Sequence, residues 1–286
     1  MTPEAGARRF YYRKLKSRVM MGLTVVATVF TLAPLFLILG YLVLKGASSL
    51  NLAFFTHLPA PVGEHGGGMA NAVVGTLELV GIACLMGVPV GIGAGLYLVE
   101  SQGRIAHAVR FAADVMMGVP SIVVGLFAYA IIVRPLHSFS TLSGAFALAM
   151  IMIPLVTRTT EEIIRLVPHE LREAALALGV PKWRTTLSVV VRTAMGGIAT
   201  GAILAIARVA GETAPLLFTA FGNQFWSTSL TQPIASLTVQ VYTYAISPFP
   251  DWQRQAWAGA LVLTMIVLTL ELGVRWVTGG RAKTLR

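Results

Sequence analysis

Two charges in an apolar run offer the first chemistry. Arg208 and Glu212 stand four residues apart inside a block, 193–219, that carries no other charged residue. At helical spacing they share one face, one turn apart. If the block starts near Thr193 and rises ~1.5 Å per residue, Arg208 sits roughly 22 Å along it, past the midplane of a bilayer. A guanidinium at such depth costs from ~2.5 to ~17 kcal/mol, so it persists only when paired or facing water. Gly197, Gly201, Ala205, Arg208 and Glu212 fall within about 80° of arc, a small-residue face leading up to an expected ion pair. Gly211 and Pro215 bracket the pair and mark a place where the helix could break. Two chemistries fit these residues. One is a structural Arg–Glu bridge between bundled helices. The other is an anion path, with Arg208 attracting the solute, Glu212 holding the arginine in place and Thr213 adjoining.

A second constellation occupies the polar stretch 158–184. Pro168 suits a helix start, because a first-turn N–H has no partner in any case. Leu171, Ala174, Ala175 and Leu178 then recur at helical spacing as a small apolar face. Gly179 ends the helix and Pro181 blocks its continuation. The spacing predicts a capped helix of about ten residues, 168–179. It is either a knob for another protein's groove or an amphipathic linker on the membrane surface.

Other groups carry less chemistry. Glu78 and Asp114 lie near the ends of their apolar blocks, where capping or local pairing is expected. Glu271 is within i,i+4 reach of Arg275. Gly87, Gly91 and Gly95 form a stripe suited to close helix packing. His57 and His65 lie in a polar loop with no second ligand cluster, so no metal site is expected. The chain contains no H-e-x-x-H, G-x-S-x-G or G-x-x-x-x-G-K-[S/T] pattern. The reading is therefore a non-catalytic chain with no catalytic residue and no nucleotide site of its own. Cys84 is the only cysteine and cannot form a disulfide within the chain.

The elements that position these residues follow from composition. Of 286 residues, 56% are hydrophobic and 12% charged, about half the charged fraction of an ordinary soluble domain. Six apolar blocks are long enough to be read as spans: 19–44, 72–99, 111–133, 142–157, 193–219 and 256–277. The fourth is short, and its helix is expected to continue into the polar residues after it. The first follows a basic tail, 1–18, and at 26 residues exceeds a cleavable signal segment; it is read as a retained anchor. Of the 22 Lys and Arg, eighteen fall in segments on the N-terminal side of the membrane. Lys45, Arg134 and Arg254 fall on the other side, and Arg208 lies within a block. This asymmetry predicts that both termini are cytoplasmic, and it accounts for the net charge of +10 without nucleic acid. Two loops on the outer side, 45–71 and 222–255, are expected. The second carries Trp226, Tyr242, Tyr244 and Trp252, aromatics suited to an interfacial belt.

Certain segments also resemble a known family. Glu173-Ala174-Ala175 followed by Gly179 is similar to the EAA-x-x-x-G loop of ATP-binding-cassette importer permeases. The chain departs from that pattern at Val189-Val190-Val191-Arg192, where the family usually ends in Ile-x-Leu-Pro. Gly118-Val-Pro-Ser-Ile-Val-Val-Gly125, Ala207-Arg-Val-Ala-Gly-Glu-Thr-Ala-Pro-Leu216 and Gly222-Asn-Gln-Phe-Trp226 resemble segments of the phosphate-specific members, over roughly residues 70–275. The resemblance implies an all-α membrane protein of six transmembrane helices, with the type I importer permease fold over 72–277. The 168–179 helix would be a cytoplasmic coupling helix that docks on a separate ATPase through Leu171, Glu173, Ala174, Ala175, Leu178 and Gly179. Implied partners are a homologous permease, two ATPase subunits that hold the ATP, and a periplasmic or extracellular phosphate-binding protein. The setting would be membrane lipid in a bacterial inner membrane. The cargo would be inorganic phosphate, with Arg208, Glu212 and Thr213 on its path. Other readings are a permease for sulfate or molybdate and, more distantly, a stand-alone ion-coupled transporter.

Overall fold

Long uncharged runs leave the backbone no water to bond with in a bilayer, so each closes its own hydrogen bonds as a helix. The structure, a computed structural model, describes residues 3–64 and 66–282, with side chains described over 10–64 and 66–273. All regular structure among the described residues is helical. His65, the side chain of Arg275 and the residues from 283 onward lie outside what is described.

The helices run in chain order: α1 Pro3–Ala47, α2 Leu52–Thr56, α3 Ala70–Glu100, α4 Arg104–Gly118 and α5 Ser121–Ala128. After a π-helical turn, Tyr129–Val133, come α6 Arg134–Leu136 and α7 Thr141–Arg165. Then follow α8 His169–Ala177, α9 Lys182–Thr185, a second π-helical stretch Thr186–Val191, and α10 Arg192–Ala210. The chain finishes with α11 Ala214–Thr219, α12 Leu237–Ala245 and α13 Pro250–Ala282. Among the described residues, five helical runs are long and apolar enough to cross a membrane, and six if the bent pair 104–118 and 121–136 counts as one.

That bent pair corrects the predicted third span, 111–133. The chain turns by 108° between the two pieces. Pro120 has no N–H to give and forces Val119 into an extended conformation, φ −71°, ψ 130°. Residues 111–118 therefore belong to α4, and only the piece from Ser121 runs on toward Leu136. The fifth span is also shifted. An unbroken apolar helical run covers Lys182–Ala210, starting before residue 193 and stopping well short of 219. Val189–Arg192, which lacks the family's terminal proline, lets the π-helical stretch pass into α10 without losing a backbone donor. The fourth span extends through its polar residues to Arg165, as its sequence predicts.

α7 is the buried centre. Its closest partner is α3, and the glycine stripe explains the fit. A Cβ at Gly91 would lie 2.7 Å from Cβ of Val156, and one at Gly95 would lie 2.7 Å from the Thr157 carbonyl. α10 approaches α7 in the same way. Gly197 faces Ile163 and Gly201 faces Thr159, with Cβ positions 2.6 Å and 2.9 Å from their side chains. The small-residue face of α10 thus packs, at Gly197 and Gly201, against α7. α1 meets the rest mainly through α13, with Tyr41 edge-on to Trp257 and Gly46 against Leu261.

The expected outer loop 222–255 is replaced over 237–245 by α12 and from 250 by the start of α13. Tyr244, 2% exposed, stacks on Trp252 at 4.5 Å, so these two aromatics are core, whereas Trp226 and Tyr242 are exposed.

Candidate functional site

At the end of the bundle where α10 finishes, Arg208 lies in the last turn, where a cation is favoured by the helix dipole. Gly211 terminates the helix, donating to Arg208 O at 3.2 Å, and Glu212 N–H reaches Val209 O at 3.1 Å. Thr213 precedes α11, whose early Pro215 suits a helix start. The break falls between the two charges, so they no longer share one helical face. No ion pair joins Arg208 to Glu212, and neither side chain has a hydrogen-bond or ionic partner among the described residues. The expected bridge is absent because the helix that would have aligned it ends at Ala210. Arg208 is exposed and Glu212 half-buried. The Glu212 carbonyl accepts from Thr238 Oγ1 at 3.1 Å, tying the turn to α12.

Three separated motifs meet around this turn. Gly125 of α5 lies so close to α11 that a Cβ there would sit 2.5 Å from Cα of Pro215. Phe221, at φ 63°, and Gly222, at φ 126°, reverse the chain after α11. Phe221 stacks on Phe139 at 4.8 Å. Asn223 O then accepts from Asn71 Nδ2 at 2.7 Å, and its own amide reaches Pro233 O at 3.2 Å. The tertiary structure thus brings 118–125, 208–215 and 221–223 into one neighbourhood.

At the opposite end, α8 is the helix that the sequence predicts. Pro168 occupies its N-cap, and Gly179 adopts φ +78° after it. Gly179 N–H bonds Leu176 O at 2.9 Å and Val180 N–H bonds Ala175 O at 3.2 Å, the paired closure of a Schellman cap. The predicted apolar face divides. Ala175 is buried, whereas Leu171, Ala174 and Leu178 are exposed, Leu178 at 83%. Glu173 and Gly179 are exposed as well. One flank of α8 is thus held by the protein while the other is free to meet something else.

Two carboxylates that sequence reasoning passed over hold this end together. Glu100, at the end of α3, accepts from Arg172 of α8 at 2.6 Å and from Thr186 at 3.1 Å, with Lys182 Nζ 3.7 Å away. Glu161, 1% exposed, receives Arg110, Arg158 and Arg165, each at 2.7 Å. Arg158 also reaches Asp114 at 2.9 Å. Asp114 therefore pairs across to α7 and neither caps a helix nor pairs within its own. A buried carboxylate survives only when fully partnered, and three guanidiniums meet that demand. The spacing Arg158, Glu161, Arg165 on one helix was a legible signal; the arrival of Arg110 and Asp114 from α4 was not.

A model of the family described as binding-protein-dependent transport system inner membrane component matches residues 87–280. The chain belongs to this family. Among transport-system relatives, the phosphate transport system permease protein PstA of Yersinia pestis is 46% identical over 275 residues, 95% of this chain and 93% of that one. The protein of the same name from Haemophilus influenzae is 46% identical, covering 93% and 95%. PstA 1 of Mycobacterium tuberculosis H37Rv is 36% identical, covering 93% and 88%. Among solved structures, an inward-facing form of the MetNI methionine ABC transporter superposes with a TM-score of 0.59 at 16% identity, covering 74% of this chain and 96% of that chain. An amino acid ABC transporter gives 0.54 at 17%, covering 76% and 92%. The fold is that of the type I importer permeases, and the chain is a multi-pass membrane protein.

Proposed function

We propose that this chain is the permease subunit of an ATP-driven importer of inorganic phosphate. The observation that carries the reading is an unpaired Arg208 guanidinium at a helix break in a spanning segment. It stands in a chain whose near-full-length relatives are named as phosphate permeases. A guanidinium offers planar, multidentate donors to a tetrahedral oxyanion. Glu212, freed from Arg208, is available to accept a hydrogen bond from the proton that phosphate keeps near neutral pH, and would repel sulfate, which has none. Thr213 adds a hydroxyl on the same turn. This arrangement favours phosphate over a sulfate or molybdate cargo.

The α8 end supplies the coupling. The exposed flank, Leu171, Glu173, Ala174, Leu178 and Gly179, fits the groove of a separate ATPase subunit, while Ala175 seats the helix. Two such ATPases would bind and hydrolyse ATP, this chain hydrolysing nothing. A homologous permease would complete the path, and a phosphate-binding protein would deliver cargo at the Arg208 end. With the distribution of Lys and Arg, the α8 end and both termini are cytoplasmic. The segment 1–18 is then a basic tail, 19–44 an anchor, and 72–277 the permease core.

The test is phosphate uptake in cells lacking their own high-affinity importer, supplied with the intact complex or with Arg208→Gln. Uptake is expected to fall at least ~10-fold, the scale of a lost charge-assisted bond, with the ATPase subunit still co-purifying. Normal uptake in a fully assembled complex would remove Arg208 from the path. Glu212→Gln is expected to admit sulfate as a competitor of tracer phosphate; unchanged selectivity would remove Glu212 from discrimination.

A further inference from the structure

Between the ends of α3 and α7 and the starts of α4 and α8 lies a cavity of about 570 Å³. Its polar lining residues include Arg110, Arg165, Arg172, His107, His169 and Gln102, and no carboxylate is among the described residues that line it. The acids that partner these arginines, Glu161 and Glu100, are not among its lining residues. Glu161 is 1% exposed and Glu100 24%. The surrounding network sets five cations, Arg110, Arg158, Arg165, Arg172 and Lys182, against three carboxylates, Asp114, Glu100 and Glu161.

Each guanidinium carries five N–H donors, and the internal bonds use only some of them. Arg165 engages Glu161 through Nη2, leaving Nε and Nη1. Arg172 engages Glu100 through Nη1, leaving Nε and Nη2. Arg110 spends Nε and Nη2 on Glu161 and the Leu98 carbonyl, leaving Nη1. The His169 side chain has no hydrogen-bond partner among the described residues. α8 begins at the same wall, adding the positive end of its dipole. Forked donors from several directions, excess positive charge and room for a small solute are the requirements of an anion with several acceptor oxygens.

We propose that this cavity binds a phosphoryl group, distinct from any cargo at Arg208 on the far end of α10. Because Arg172 belongs to α8 and Arg110 and Arg165 to the bundle, the bound group bridges the two and restrains α8. The phosphoryl group comes either from free phosphate on that side or from an anionic lipid headgroup. The inference does not depend on the identity of the transported solute.

The experiment uses the assembled complex in nanodiscs of zwitterionic lipid. The rate of carbethoxylation of His169 is followed by mass spectrometry with and without inorganic phosphate, with chloride as the ionic-strength control. Phosphate is expected to slow modification, and Arg165→Gln to raise the phosphate concentration required by roughly tenfold. The same reaction in discs doped with phosphatidylglycerol separates the sources. Slowing by that lipid without added phosphate, with no further response to phosphate, assigns the headgroup. Slowing by phosphate in both disc types assigns the free anion. A His169 rate indifferent to phosphate and lipid alike would overturn the proposal, and this arm needs no variant. Loss of cargo transport in Arg208→Gln leaves the His169 readout unchanged, so the two readings fail separately.

Discussion

Glu161 and Arg208 show two fates for a charge in an apolar helix. Glu161 is enclosed and answered by three guanidiniums, whereas Arg208 is unanswered and exposed. Removing one side of a buried ionic network costs about 3–5 kcal/mol, because the remaining charges keep their desolvation penalty. Glu161→Gln is therefore expected to lower the unfolding midpoint of the purified complex by several degrees in a thermal scan. Arg165→Gln is the comparison. That side chain is 57% exposed and is one of three partners, so its loss is expected to cost less than ~1 kcal/mol. Equal effects from both substitutions would mean that Glu161 is not the centre of the network.

At the scale of elements, close helix approach decides what each glycine tolerates. Gly91 faces Val156 with no space for a Cβ, whereas a Cβ at Gly93, two residues on in the same helix, meets nothing within 4 Å. Gly91→Ala is expected to destabilise by about 1–3 kcal/mol through overpacking. Gly93→Ala is expected to be neutral or to stabilise by up to ~1 kcal/mol through helix propensity. Thermal scans of the two complexes would resolve the difference in sign. Gly179 is different in kind, since its surroundings are open but its φ is +78°. An alanine there costs about 1–2 kcal/mol of backbone strain and loosens the end of α8. The expected result is weaker ATPase retention on affinity purification, with the membrane bundle itself still folded.

For the whole molecule, the question is how the two ends communicate. α8 and α9 are tied to α3 through Glu100, and α3 lies along α7. Glu100→Gln keeps the hydrogen-bonding shape but removes the charge that Arg172 and Lys182 answer. ATP hydrolysis by the complex is expected to continue while phosphate moved per ATP falls, measured together in proteoliposomes. An unchanged ratio would place the mechanical link elsewhere. The many apolar side chains exposed on α1, such as Phe30 at 81% and Leu37 at 72%, have no partner helix over most of their length. In this chain they are left to lipid or another subunit.

Much was legible without coordinates because hydropathy and capping are local. Long apolar runs must be helices in a bilayer, and a polar tail after the fourth run continues the same 3.6-residue period. Pro168 and Gly179 bound α8 by their own backbone chemistry, and the stripe Gly87-Gly91-Gly95 announces a close neighbour without saying which. The neighbours were decided only by the tertiary structure. Pro120 turns a span through 108°, which depends on what each arm packs against. Gly211 was marked as a possible break, yet only the docking of α11 on α5 and of the turn on α12 separated Arg208 from Glu212. Glu161 found its partners from α4 and α7, and Glu100 from α8 and the following π-helical stretch, across 51 and 86 residues of chain. Periodicity is a property of one helix, whereas the pairing of a buried charge belongs to the space between several, and sequence spacing does not encode that space.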